Sequence, residues 1–319
     1  MITGKRLFIT GGAGFIGTHI ISRLIEHNEI VLFDNLRRNA LQYFGLADHP
    51  HLKSVTGDIL DAKALTGAMT GCDLVFHLAA VAGVSSYYKT PLKTMEVNAL
   101  GTYNVLTAAK EAGAGLFVNF STSEVYGPEA ECVSEEDLTK QGSVTDRRWT
   151  YSVSKLAAEH LCFAFSAEEG LPVISFRPFN VYGPGQVGEG AVQIFCRNCL
   201  QNKELEITGD GSQVRAWCYI DDMVDAVLLG VENKKALNNT FNIGNPQAAC
   251  TIKELALQVI ELSASGSRIT RVPHPGTDVS VRIPDISKAQ TLLGFLPAVS
   301  LREGIQRSLQ WYVQTLRAL

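Results

Sequence analysis

Long apolar runs are missing from this sequence, and so is any surplus of positive charge. No stretch approaches the ~18 consecutive apolar residues of a membrane-crossing helix, so no membrane span is expected. Lys and Arg number 28 against 32 Asp and Glu, a formal charge of −4. Such mild acidity argues against a nucleic-acid partner or an anionic membrane surface. Cysteine is scarce and odd in number, scattered at 72, 132, 162, 196, 199, 218 and 250, so a disulfide scaffold is not expected. One Cys-x-x-Cys exists, Cys196 to Cys199, with no second pair and no neighbouring histidines, and no metal site is read from it. The opening apolar run, Leu7 to Thr10, is too short for a secretory leader and runs into glycine. Internal repeats and low-complexity tracts are lacking too. A reducing cytoplasm is the expected location.

Apolar residues make up 46% of the 319 positions, and a chain of this size buries about three quarters of its surface on folding. Leu7–Thr10, Ile30–Phe33, Leu74–Leu78, Leu116–Phe120 and Pro172–Phe176 read as strands. Between them, Ile16–His27, Asp61–Thr70, Pro91–Ala112 and Tyr151–Glu169 read as helices. Near-continuous apolar strands alternating with helices predict an α/β fold, a doubly wound parallel sheet covered on both faces. After Arg177-Pro178 the rhythm breaks into a region rich in Gly and Pro, then a helix near Ala191–Asn202 and a strand at Leu205–Ile207. A smaller, less regular α/β domain, partly interleaved with the first, is expected there.

Between the first strand and first helix lies Thr10-Gly11-Gly12-Ala13-Gly14-Phe15-Ile16-Gly17. Glycine suits a tight turn, a close backbone approach to a pyrophosphate, and a helix packed hard on the sheet. Helix-terminal N–H groups then face the phosphates. Asp34 ends the next strand, where a carboxylate accepts from both ribose hydroxyls and repels a 2′-phosphate. NAD is therefore expected over NADP, although Arg37 and Arg38 close by are suited to that phosphate. Asp58 either reaches the adenine amine or simply closes a turn.

Tyr151 and Lys155 stand at i and i+4 on one helix face. An ammonium beside a phenol is expected to lower its pKa, and a phenolate takes a proton from a sugar hydroxyl as hydride leaves to nicotinamide. Thr122, Ser123 and Glu124 follow the strand Leu116–Phe120, at the end where open α/β sheets bind ligands. The two hydroxyls are suited to bridge substrate and phenol, and Glu124 to act as acid or base on a neighbouring carbon.

At this point the chain resembles the extended short-chain dehydrogenase/reductase family of nucleotide-sugar epimerases, dehydratases and decarboxylases. The resemblance runs through the glycine turn, Asp34-Asn35-Leu36, Gly57-Asp58-Ile59, His77-Leu78-Ala79-Ala80, Asn98 with Gly101-Thr102, Tyr151 with Lys155, Arg177 to Gly185, and Gly209-Asp210-Gly211 with Arg215. It implies a tightly held NAD on a Rossmann domain, residues 1–178 with part of 213–246. A nucleotide-sugar domain would comprise 179–212 and 247–319. It also implies that Gly11, Gly14, Phe15, Ile16, Gly17, Asp34, Asn35, Asp58, Ile59, Leu78, Ala79, Ala80 and Asn98 bind the cofactor together with Tyr151 and Lys155. Tyr151 would be the base, Lys155 its partner on the nicotinamide ribose, and Thr122 the hydroxyl relay. Asn180 and Arg215 would contact the substrate's diphosphate or its neighbours, and Arg282 its carboxylate, a proton in transit, or a phosphate.

The resemblance further implies one opening step, oxidation at sugar C4 to a ketone. Epimerisation, dehydration or decarboxylation then follows. Ser123-Glu124, Arg148-Trp149-Thr150-Tyr151 and Arg282-Ile283-Pro284-Asp285-Ile286 are most similar to the UDP-glucuronate decarboxylases. Decarboxylation of a UDP-uronic acid is therefore the leading expectation, followed by 4-epimerisation, dehydration and, remotely, a non-catalytic NAD-binding regulator. A homodimer is expected by analogy, through a bundle of Pro91–Ala112 and Tyr151–Glu169. Ala157, Ala158, Leu161 and Phe165 form an apolar stripe that faces either that partner or the chain's own sheet.

Overall fold

Strands that are apolar on both faces need cover on both faces, and the chain supplies it by alternating strand and helix. The computed structural model describes residues 2–273 and 276–318. Seven parallel strands form the central sheet: β1 Arg6–Thr10, β2 Glu29–Asp34, β3 Leu52–Thr56, β4 Leu74–His77, β5 Leu116–Phe120, β6 Val173–Pro178 and β7 Asn239–Ile243. They lie in the order β3-β2-β1-β4-β5-β6-β7. The expected α/β doubly wound sheet is thus present.

Alternate residues of each strand face opposite layers. Leu7, Ile9, Ile30, Leu32, Phe76 and Val118 pack with helix α1 (Phe15–Leu24). Phe8, Val31, Phe33, Val75 and Phe117 pack with α2 (Ala62–Met69) and α3 (Gly101–Glu111). Asp61 caps α2 by accepting from the Ala64 N–H at 3.0 Å, which supplies one of the orphan groups of a helix start. Helix α4, Thr150–Glu169, stops at Gly170 in the left-handed conformation (φ 69°), as C-terminal glycines do.

Pro91–Ala112, expected as one helix, is helical throughout to Glu111 but widens in its middle. Pro91–Met95 is α-helical, Glu96–Leu100 is a wide π-turn, and α3 continues from Gly101. The wide turn contains Asn98, whose side chain is tied to the main chain of Val81. Periodicity does not report such a local bond, and π-turns of this kind cluster near functional sites.

In the second half, α5 (Ala191–Leu200), α7 (Ile252–Ser263) and α8 (Leu301–Ala318) pack together, while α6 (Ile220–Glu232) covers the central sheet. A small sheet joins both halves of the chain: Ala249–Thr251 pairs with Val214–Ala216, that with Val281–Pro284, and that with Glu129–Val133. All seven cysteines are unpaired. Among the described residues no helix is long and apolar enough to cross a membrane.

Candidate active site

The order of the strands reverses between β1 and β4, and a crevice opens at their carboxyl ends. There a cavity of about 690 Å³ runs from the glycine turn to Arg282. Gly11, at φ +68°, lies so close to the loop after β4 that a Cβ on it would sit 2.5 Å from the Ala79 nitrogen. A Cβ on Gly17 would sit 2.6 Å from the Gly12 Cα. Both glycines are therefore packing requirements between turn, helix and sheet. Helix α1 starts at Gly14 with no side chain capping it and no acid in its first turn. The first N–H groups of a helix have no partner within it, and Gly14, Phe15, Ile16 and Gly17 line the cavity, which fits a pyrophosphate.

Asp34 lines the same end. Its carboxylate accepts from the Ala13 N–H at 3.0 Å and the Leu36 N–H at 2.7 Å. Burial pushes its pKa up, against those bonds. Asn35, Asp58, Ile59, Leu78, Ala79 and Ala80 complete this wall. The two rival phosphate-binding arginines also line the cavity, with contacts of their own. Arg37 donates to Ser86 Oγ at 3.3 Å, and the Arg38 guanidinium lies against Gly83 and Gly188 across the cavity mouth. The residues present thus fit NAD.

Opposite stand Thr122, Ser123 and Glu124, on the turn that follows β5, with Tyr151 and Lys155 on the first two turns of α4. Thr122 stands close enough to the Tyr151 phenol to favour its ionised form. The expectation of a lowered phenol pKa is corrected in this ligand-free protein. Burial, then the Glu124 charge, push Tyr151 up, against Thr122 and the charges of Arg38 and Arg282. Lys155 is itself dehydrated, and its amine is pulled down to about 8. Desolvation disfavours both charged forms, and the charges that favour the Lys155 ammonium come from Cys162 and Glu159.

Beyond them the floor is cationic. Glu124 Oε2 accepts from Arg148 Nη1 at 2.7 Å, and its Oε1 lies 3.5 Å from Arg282 Nη1. The two guanidiniums overcome burial and hold Glu124 below the usual carboxylate range. Arg148 also stacks on the Tyr87 ring at 5.2 Å. Buried Arg215 is drawn down to about 10, first by desolvation and then by the Arg282 charge. It donates to the carbonyls of Val214 and Val279. Arg282 keeps a buried Nε–H with no partner. Asn180, at φ 41°, borders this region and donates to the Ala216 carbonyl at 2.9 Å. Around the whole cavity seven cationic side chains (Arg37, Arg38, Lys93, Arg148, Lys155, Arg215, Arg282) face five anionic ones (Asp34, Asp58, Glu124, Glu189, Asp278). The excess calls for anionic ligands.

Asn98 alone among the expected site residues does not line the cavity. It is buried behind the wall and bonded to Val81 and Ser154. Sequence reasoning left Arg148 and Tyr87 out of the site. Arg148 stands three residues before Tyr151, but nothing in its pattern separates a buried guanidinium from a solvated one. Another buried network steadies the 122–126 turn. Glu159 pairs with Arg177 at 3.1 Å and accepts from Ser121 at 2.6 Å, while Arg177 donates to the Tyr126 hydroxyl at 2.7 Å.

Residues 7–244 match the model of the NAD dependent epimerase/dehydratase family. A UDP-N-acetyl-alpha-D-glucosaminuronate decarboxylase of Bacillus cytotoxicus is 34% identical over 97% of this chain and 98% of its own. The UDP-glucuronic acid decarboxylase 3 of Arabidopsis thaliana is 35% identical, over 94% of this chain and 86% of its own. Among solved structures, the UDP-glucuronic acid 4-epimerase of Bacillus cereus, in complex with UDP-glucuronic acid and NAD, superposes with a TM-score of 0.89. It is 29% identical over 97% of this chain and 99% of that one.

Proposed function

Because the chain belongs to the NAD dependent epimerase/dehydratase family, we propose that it oxidises C4 of a UDP-uronic acid and releases CO₂ from the resulting ketone. The observation that carries this reading is the under-neutralised set of three guanidiniums, Arg148, Arg215 and Arg282, facing the two carboxylates of Glu124 and Asp278. Buried cations left without counter-charges are costly unless a ligand supplies them. A uronate and a diphosphate together do so. NAD, bound along the glycine turn, supplies the acceptor for the C4 hydrogen.

Tyr151, coupled to Thr122, takes the C4 hydroxyl proton. The phenolate this requires is favoured by the Arg38 and Arg282 charges and would gain from a positive nicotinamide ring, while Lys155 holds the nicotinamide ribose and Asp34 the adenosine ribose. The C4 ketone is β to the C5 carboxylate, so the electron pair left by departing CO₂ spreads onto the C4 oxygen, where Thr122 and Tyr151 donate hydrogen bonds. Glu124, kept ionised, fixes Arg148 and Arg282 for the substrate's anions; C5 then takes one proton from solvent in place of CO₂, and the C4 ketone takes back its hydrogen as Tyr151 returns the hydroxyl proton. Asn180 and Arg215 hold the diphosphate, with residues 1–178 and part of 213–246 serving the dinucleotide and 179–212 with 247–319 the nucleotide sugar.

A 4-epimerase acting on the same uronate is the second reading, supported by the likeness to the Bacillus cereus enzyme. Incubating the NAD-supplied protein with UDP-glucuronate, UDP-N-acetylglucosaminuronate and UDP-glucose, followed by mass and NMR analysis, separates them. Loss of one CO₂ supports decarboxylation, an unchanged mass with C4 inverted supports epimerisation, and no change to any of them sinks both.

The assembly we propose is a cytoplasmic homodimer, through Pro91–Ala112 and α4. Leu92, Leu100, Tyr103 and Val153 expose apolar surface on these helices. The stripe considered from the sequence faces largely inward: Ala158 is buried, and Leu161 and Phe165 pack against the chain's own core.

A further inference from the structure

The two walls of the cavity are joined from behind by buried hydrogen bonds that none of the chemistry above uses. At their centre is His77, the last residue of β4, with no exposed surface. Its Nδ1 lies 2.8 Å from Thr10 Oγ1 and its Nε2 2.8 Å from Thr102 Oγ1. Thr102 has one hydroxyl proton and donates it to the Asn98 carbonyl at 2.6 Å. Nε2 must therefore be the donor to Thr102, and the ring proton sits there. Nδ1 is left as an acceptor, and it receives the hydroxyl proton of Thr10. The Thr10 oxygen in turn accepts from the Ala79 N–H at 3.3 Å.

The chain continues beyond Asn98. Its amide accepts from the Val81 N–H at 2.7 Å, and donates to the Val81 carbonyl at 3.0 Å and to Ser154 Oγ at 2.9 Å. Ser154 donates to the carbonyl of Tyr151 at 2.7 Å. An unbroken series of bonds thus runs from the residue before Gly11 to the backbone of Tyr151. On its way it grips both Ala79 and Val81, which line the cavity.

We propose that His77 is a positioning residue: as a neutral Nε2–H imidazole it fixes the spacing between the glycine turn that carries the dinucleotide and the helix that carries Tyr151. This rests on the reading of the cavity as a site for NAD and for Tyr151 chemistry. Direction matters as much as distance. An imidazolium would offer two donors and leave the Thr10 hydroxyl proton without an acceptor. Of the groups packed on the ring, Thr10 from β1 and the charge of Lys155 from α4 oppose that state, while Thr102 from α3 and Phe117 from β5 at 5.7 Å are uncharged neighbours. Burial, then Lys155, push the His77 pKa down to about 3. Reacting groups misplaced by about 1 Å lose on the order of 100-fold in rate, so a strut of this kind acts on turnover more than on sugar binding.

The test uses the full chain and has three readouts. Nitrogen NMR of protein labelled at histidine, with the His77 signal assigned by its loss in His77→Phe, should show an Nε2–H ring that does not titrate between pH 5 and 9. Titration of cofactor-free protein with NAD should show binding weakened about tenfold in His77→Phe, the cost of a broken buried hydrogen-bond chain. Turnover of UDP-glucuronate should fall at least about tenfold in kcat with the sugar KM changed by less than about threefold. His77→Gln, which restores an N–H donor towards Thr102, should recover part of both losses.

Should His77→Phe fail to fold, Thr102→Val breaks the same series from the far side of the ring, and the same pattern is expected. Wild-type NAD affinity and kcat in a folded His77→Phe or Thr102→Val protein would overturn the proposal, as would a titrating or Nδ1–H ring. A wild-type protein inert towards every UDP-sugar would count against the proposed reaction, while the NMR and NAD titrations would still decide the role of His77.

Discussion

Lys155 costs the ligand-free protein stability. Its amine titrates near 8 when folded, against an ordinary 10.5, so between those values the unfolded chain binds more protons than the folded one. Stability from this group therefore rises as pH climbs from about 8 to 10.5 and is least below 8. Lys155→Met should be catalytically inert yet more stable than the parent at pH 7, by about 1–3 kcal/mol, with the gap closing towards pH 10. Calorimetry at the two pH values checks this. Tyr151→Phe should retain NAD and lose about 10²–10⁴ in turnover; retained turnover would remove the assignment of the base. Glu124→Gln should spare C4 oxidation but stop CO₂ loss, and an unchanged product profile would make Glu124 a bystander.

At this scale the sequence carries residue types but not environments. The expected Tyr151–Lys155 pair occupies one face, yet its electrostatics run opposite to expectation, because dehydration depends on what the rest of the chain lays over it. Asp34 was readable because its place is fixed by the strand that ends there. Arg148 was not, since its meaning comes from Glu124, 24 residues earlier, and from Tyr87.

Elements were more legible than contacts. The apolar runs of β1, β2, β4, β5 and β6 announce themselves because both faces of each are buried. β3, with Lys53, Ser54 and Thr56 on the sheet's edge, carries no such run. The short strand Glu129–Val133 is equally silent, with only Ala130 fully buried, since it belongs to a small sheet completed by residues 281–284. The π-turn at Glu96–Leu100 depends on the tie between Asn98 and Val81, which no periodicity reports. Two substitutions test the joints between elements. Gly17→Ala would press a methyl group onto Gly12, and should destabilise the protein by about 1–3 kcal/mol while weakening NAD binding. Arg177→Met would strand the buried Glu159 charge between Ser121 and Thr240, at a cost of about 3–5 kcal/mol. Chemical denaturation measures both.

For the whole molecule, the fold brings the glycine turn and the cationic floor to one cavity, and the proposed reaction uses the first for the dinucleotide and the second for the substrate's anions. The apolar patch at Leu100 and Tyr103 belongs to this scale. Leu100→Asp with Tyr103→Asp should convert a dimer into monomers in light scattering at micromolar concentration, and a parent protein that is already monomeric would remove the proposed assembly. The most direct measurement of the chemistry uses UDP-glucuronate carrying deuterium at C4. Removal of that hydrogen as hydride and its return to the same carbon predicts slowed turnover and a product, one CO₂ lighter, that keeps the deuterium at C4. Exchange of the deuterium with solvent during turnover would contradict the account.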